Sequence, residues 1–167
     1  MPGTEVSSED GHILAYGTNK PVEKGLTAAD TVSEIHRQGG IAVAAHLYSP
    51  NLPFFKPSSL GDGVFGAGFD AVEIPDSYSF RQAAAKSFEA AKELNLPTTV
   101  GSDAHQPEEI GKNLMYFPES TKNWQNVIEN IKRGNFKTST SKVNVTKMAL
   151  RHLKRNFEIQ ILGRNLK

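Results

Sequence analysis

Short apolar runs that read as β-strands alternate along this chain with helical patterns of ten to fifteen residues, and that alternation limits the fold more than any other feature. It is the signature of βα units feeding a parallel sheet. Strands are expected at Ile13 to Tyr16, Ile41 to Ala45, Ala71 to Ile74, Thr98 to Val100 and Leu114 to Phe117. Between them lie helices with recognisable ends. Thr27 or Asp30 can cap a helix reaching Gln38, where Val32 and Ile35 stand three apart and Gly39-Gly40 stop it. Ser79 can cap the alanine-rich stretch Arg81 to Leu94, which Pro97 follows. Thr121 can cap Asn123 to Arg133, with Val127, Ile128 and Ile131 on one face and Gly134 after the end. A last amphipathic segment is expected over 145–156, and the glycine-rich 60–68 reads as a loop with a short helix. No linker or repeat divides the 167 residues, so a single α/β domain over 1–167 is expected.

Composition removes several chemistries. With no cysteine, disulfides, thiolate metal sites and cysteine nucleophiles are excluded, and any metal must be held by His, Asp and Glu. No apolar run approaches the roughly 18 to 20 residues that cross a bilayer. The N-terminus Met-Pro-Gly-Thr-Glu has neither a basic nor an apolar leader region, so a cytoplasmic location is expected. Charge is divided unevenly. Residues 1–131 hold 9 Lys/Arg against 17 Asp/Glu, whereas 132–167 hold 10 against 1. This basic C-terminal segment reads either as a solvated face lying on an acidic body or as a surface for nucleic acid.

The chemistry gathers at strand ends. His46 follows the Ile41 to Ala45 strand, and Gly101-Ser-Asp-Ala-His105 follows Thr98 to Val100. In parallel α/β folds the C-terminal edge carries the active site, because the βα loops converge there on a rigid frame. Glu73, inside Ala71 to Ile74, can face the same rim. Asp103 and His105 stand two apart, so an extended segment would lean both side chains the same way. Carboxylates and neutral imidazoles together suit zinc, manganese or iron. Taken singly, each residue has a plainer reading: Asp103 a turn former, His46 a hydrogen-bonded histidine at the core margin, His12 an exposed turn residue. The joint pattern is what favours a metal site. His36 and His152 read as structural or exposed.

These residues resemble the PHP (polymerase and histidinol phosphatase) superfamily of metal-dependent phosphoesterases, over most of the chain. Pro2-Gly-Thr-Glu5-Val-Ser7 followed by His12-Ile-Leu-Ala-Tyr-Gly17 resembles a family passage in which the Glu and His are metal ligands. Gly39-Gly-Ile-Ala-Val-Ala-Ala-His46 resembles the strand that supplies another His, Ala71-Val-Glu-Ile74 the strand after it, and Gly101-Ser-Asp-Ala-His105 the final motif. The resemblance implies a distorted (β/α)7 TIM-like barrel with up to three metals at its C-terminal rim. It implies that Glu5 bridges two metals, that His12 and His46 complete one of them, and that Asp103 serves the second and His105 a third. Glu5, Asp103 and His105 would then be the catalytic set, with a metal-activated water attacking phosphorus while the metals neutralise phosphate oxygens.

The family's His-x-His opening and the ligands soon after it belong upstream of Glu5, whereas this chain starts at Met1. An incomplete barrel, the C-terminal two-thirds of the domain, is therefore expected, with one or two metals rather than three. Its open strand edges would favour self-association. Arg81 and Lys112 lie near motif loops and are candidates for holding substrate phosphate, with surface charge as the competing reading. The expected activity is hydrolysis of a phosphate ester in a nucleotide, an oligonucleotide or a small phosphomonoester. The alternative is a non-catalytic module that binds nucleic acid or protein through its basic segment.

Overall fold

The computed structural model describes residues 1–49, 58–75, 81–105 and 107–141. The expected cap at Ser79 and the amphipathic segment over 145–156 lie outside them. The chain folds as a mixed α/β layer structure. β1 (Gly3–Ser7), β2 (His12–Tyr16), β3 (Ile41–Ala44), β4 (Ala71–Ile74) and β5 (Thr98–Val100) form one five-stranded sheet in that spatial order. β6 (Asn113–Tyr116) and β7 (Lys137–Thr140) form a separate antiparallel pair. The helices are α1 (Ala28–Arg37), α2 (Arg81–Glu93) and α3 (Trp124–Lys132).

The βα pattern predicts a parallel sheet, and the sheet is parallel only in part. β3, β4 and β5 run parallel, whereas β1 and β2 form a hairpin that joins β3 antiparallel. Among the described residues the sheet is open, and no closed barrel is formed. β1 and β7 have no counterpart in the strand pattern read from the sequence. In β1 only Val6 is buried and β7 has no buried residue, so neither carries the apolar alternation by which strands are recognised.

Alternation across the pleat sends each strand's residues to two cores. On one face Val6, Ile13, Ala42, Ala44, Val72 and Ile74 pack with Val32 and Ile35 of α1 and Ala84, Ala90 and Ala91 of α2. On the other, Ile41, Val43 and Ala71 pack with Ile128 and Ile131 of α3, with Leu14 and Tyr16 against them. Helix α1 begins as expected: Thr27 Oγ1 accepts from the Asp30 N–H at 3.1 Å. Helix α3 begins one residue later than expected, and Asn123 rather than Thr121 provides the cap, its Oδ1 accepting from the Asn126 N–H at 2.9 Å. Thr121 instead accepts a hydrogen bond from Asn130 at 3.0 Å. A short 3₁₀ turn, Gly61–Val64, occupies the glycine-rich stretch.

Candidate metal centre

Strand register brings the first two candidate ligands together. In the β1–β2 hairpin Glu5 lies opposite Leu14 and Ser7 opposite His12. Glu5 and His12 are thus diagonal neighbours on one face, within reach of long side chains. His12 opens β2 where β3 closes, since Ile13 pairs with Ala44 and the Ala45 N–H donates to the His12 carbonyl at 3.3 Å. His46 follows directly in a turn. One ligand atom from each of Glu5, His12 and His46 falls within 4.8 Å of the other two, a group that could hold a metal ion.

The contacts inside the trio are those of side chains converging on a common point. His12 Nδ1 lies 2.8 Å from Glu5 Oε1, and His46 Nε2 lies 3.9 Å from Glu5 Oε2. The imidazoles meet edge to face, with centroids 5.4 Å apart. His12 Nδ1 has the Glu5 carboxylate as its neighbour, whereas the buried Nδ1 of His46 has no hydrogen-bond partner among the described residues. Buried polar atoms are normally satisfied. Two imidazoles and a carboxylate converging in this way are a donor set that a divalent cation with N and O ligands would satisfy, so these residues fit the metal that the resemblance implies.

Electrostatics tune the three groups differently. Close contact with His12 lowers the Glu5 pKa below its ordinary value, outweighing the burial that raises it, and the charges of His46 and His105 add to the lowering. The same contact with Glu5 raises the His12 pKa against its burial, helped by the Asp103 charge. His46 moves the other way, because burial disfavours its charged form more than Asp103 and Glu5 favour it. It is therefore poised as a neutral ligand.

Asp103 and His105 stand outside this trio, close enough to be felt through their charge. The segment carrying them is not extended, contrary to expectation. Asp103 has a left-handed backbone, φ 43°, and His105 Nδ1 turns back to within 2.9 Å of the Asp103 carbonyl oxygen. Local turn geometry, which Asp tolerates better than most residues, overrides the alternation that a spacing of two suggests. Both side chains are exposed. The loop is held from behind: the Glu109 carboxylate accepts from the His105 N–H at 2.9 Å, and Asn113 Nδ2 donates to the Gly101 carbonyl at 2.7 Å. These two anchors were not singled out from the sequence, and the only signal of them there was their place just past the motif.

Glu73, noted in the sequence only as facing the rim, is almost wholly buried, and its Oε2 accepts from the His46 N–H at 2.9 Å. Burial pushes its carboxyl up to about 7, with the charges of Asp103 and Glu5 acting in the same direction and the His46 N–H opposing them. Arg81 is exposed at the start of α2. Lys112 is half-buried just before β6, its carbonyl accepting from both the N–H and the hydroxyl of Ser141. His36 has a structural place, its Nε2 lying 2.7 Å from Asp70.

Residues 81–136 match the family described as PHP-associated. Over 76 residues the chain is 36% identical to the uncharacterised protein MJ1587 of Methanocaldococcus jannaschii, a match spanning 46% of this chain and 42% of that protein. Two crystal structures share the fold. PsfC from Pseudomonas syringae PB-5123 superposes with a TM-score of 0.66 at 19% identity, over 93% of this chain and 65% of PsfC. The lesion-specific endonuclease PfuEndoQ from Pyrococcus furiosus superposes with a TM-score of 0.55 at 21% identity, over 81% of this chain and 40% of the endonuclease. The chain thus spans less than two-thirds of each of these three proteins. Together with the motifs around Glu5, His12, His46 and Asp103, the match over 81–136 supports a relationship between this chain and the PHP proteins.

Proposed function

We propose that the chain carries the site of a metal-dependent phosphoesterase, in which Glu5, His12 and His46 hold a divalent zinc, manganese or iron ion. The observation that carries this reading is the convergence of one carboxylate and two imidazoles within 4.8 Å at the edge where β3 ends. When bound, such a metal supplies Lewis acidity that draws charge from a phosphate oxygen and makes water a better nucleophile. The chain's own residues do the rest. Glu5 would contribute a carboxylate oxygen and negative charge to the metal, and His46, whose burial disfavours its charged form, would contribute a ring nitrogen. Asp103 and His105, outside the trio but felt by it through their charge, are proposed as ligands of a second position and as polar partners of the substrate. Arg81 and Lys112 are candidates for holding the substrate phosphate, with surface charge as the competing reading.

The substrate class is a phosphate ester of a nucleotide, an oligonucleotide or a small molecule. The shared fold with an endonuclease favours testing phosphodiesters beside monoesters. The experiment is turnover of nucleoside monophosphates and of a chromogenic phosphodiester with added Mn²⁺ or Zn²⁺, in the wild type, Glu5→Ala and Asp103→Ala. Metal-dependent hydrolysis is expected in the wild type alone. Undiminished turnover in either variant would overturn the assignment.

A further inference from the structure

We infer that Glu73 is the positioning residue of this site, its buried carboxylate fixing the His46 turn on one side and demanding glycine at 101 on the other. The inference rests on the reading of Glu5, His12 and His46 as a metal site. Glu73 sits in β4, between β3, after which His46 lies in a turn, and β5, which Gly101 follows. Toward β3 it holds two consecutive peptide groups. Its Oε2 accepts from the His46 N–H at 2.9 Å, and its backbone carbonyl accepts from the Leu47 N–H at 3.1 Å. The hold matters because His46 has a φ of 30°, a backbone conformation that a side-chain-bearing residue keeps only when its surroundings impose it.

Toward β5 the same carboxylate fills the space over Gly101. A Cβ placed there would overlap Glu73 Oε1 and come within 3.3 Å of Cδ. Gly101 does not have a positive φ, so glycine is needed for room rather than for backbone freedom. The loop cannot easily back away, because Asn113 grips the Gly101 carbonyl at 2.7 Å. A methyl at 101 must therefore displace the carboxylate, and a displaced carboxylate releases the His46 N–H. One wedge between two strand ends thus sets His46 against the loop of Asp103 and His105.

The test is a double-mutant cycle on metal affinity, titrating Zn²⁺ into chelator-stripped protein, with the melting temperature in chelator as a second readout. Removing a residue that orients a ligand typically weakens metal binding by about 10- to 100-fold, so Glu73→Ala and Gly101→Ala should each fall in that range. Because both act through one contact, adding Gly101→Ala to Glu73→Ala should cost almost nothing further. Glu73→Gln, which keeps an oxygen to accept from His46, should bind Zn²⁺ nearly as the wild type does. Where Glu73→Ala does not fold, Glu73→Asp takes its place, since its carboxylate stops one methylene short of both contacts. Equal losses from Gly101→Ala in both backgrounds would overturn the inference, as would equal losses of affinity in the Gln and Ala variants. If the wild type itself binds no Zn²⁺, the metal-site reading fails first and the inference falls with it.

Discussion

At neutral pH His12 is pulled two ways. Contact with Glu5 holds its proton on, whereas a metal needs the nitrogen bare. Zinc binding should therefore release a proton at pH values below the raised pKa of His12, and affinity should rise with pH through that range. Calorimetry in buffers of different ionisation enthalpy measures the release, and binding with no proton release at pH 6.5 would contradict this account of His12. Without metal the pair instead supports the fold. The lowered pKa of Glu5 contributes stability that is complete above its ordinary value of 4.5 and lost as pH falls through the folded value. The raised pKa of His12 contributes stability that is complete below its ordinary value of 6.5 and lost as pH rises through the folded value. In chelator, the difference in melting temperature between wild type and Glu5→Gln should thus be greatest between pH 4.5 and 6.5. A difference that widens toward alkaline pH would be inconsistent with the pairing.

At the scale of elements, the site depends on where strands end rather than on how helices begin. Thr27→Ala removes the cap of α1, far from the ligands in sequence, and should cost about 1 kcal/mol of stability while leaving zinc affinity unchanged. Chemical denaturation alongside zinc titration checks both halves. Asn113→Ala, which frees the Gly101 carbonyl, should cost a similar amount, about 1 to 3 kcal/mol, and should also loosen the Asp103 loop. The elements legible in the sequence were those with strong periodicity. β3 and β4 are short, mostly apolar runs, β5 is rich in β-branched residues, and α1 and α3 place Val32, Ile35, Ile128 and Ile131 on buried faces. β1 was not legible as a strand, because Thr4 and Glu5 are exposed and Val6 is its one buried residue, so no apolar alternation marks it. For the same reason Glu5 entered through motif resemblance and reached His12 only through hairpin register. The geometry of Asp103 and His105 was misjudged because spacing carries no φ angle. Glu73 was the most readable hint of a buried function, a carboxylate inside an otherwise apolar strand.

For the whole molecule, the sheet carries a core on each face, and the candidate ligands occupy the edge where the hairpin meets the parallel strands. A metal there would tie β1, β2 and the end of β3 together. Zinc at a hundredfold excess over its dissociation constant should then stabilise the fold by about 2.7 kcal/mol, seen as a higher melting temperature that chelator reverses. No helix among the described residues is long and apolar enough to cross a membrane. The segment 132–167, described as far as Ser141, is strongly basic in sequence, with 10 Lys/Arg against 1 Asp/Glu. If it contacts nucleic acid, log K should fall steeply with log salt, and salt-insensitive binding would remove it from that role.

The most direct test of the central claim is anomalous diffraction from a crystal grown with Zn²⁺. The account predicts a peak bound at about 2.0 to 2.2 Å by a Glu5 carboxylate oxygen and by one nitrogen from each of His12 and His46. A crystal that takes up zinc elsewhere, with these three side chains unligated, would contradict it.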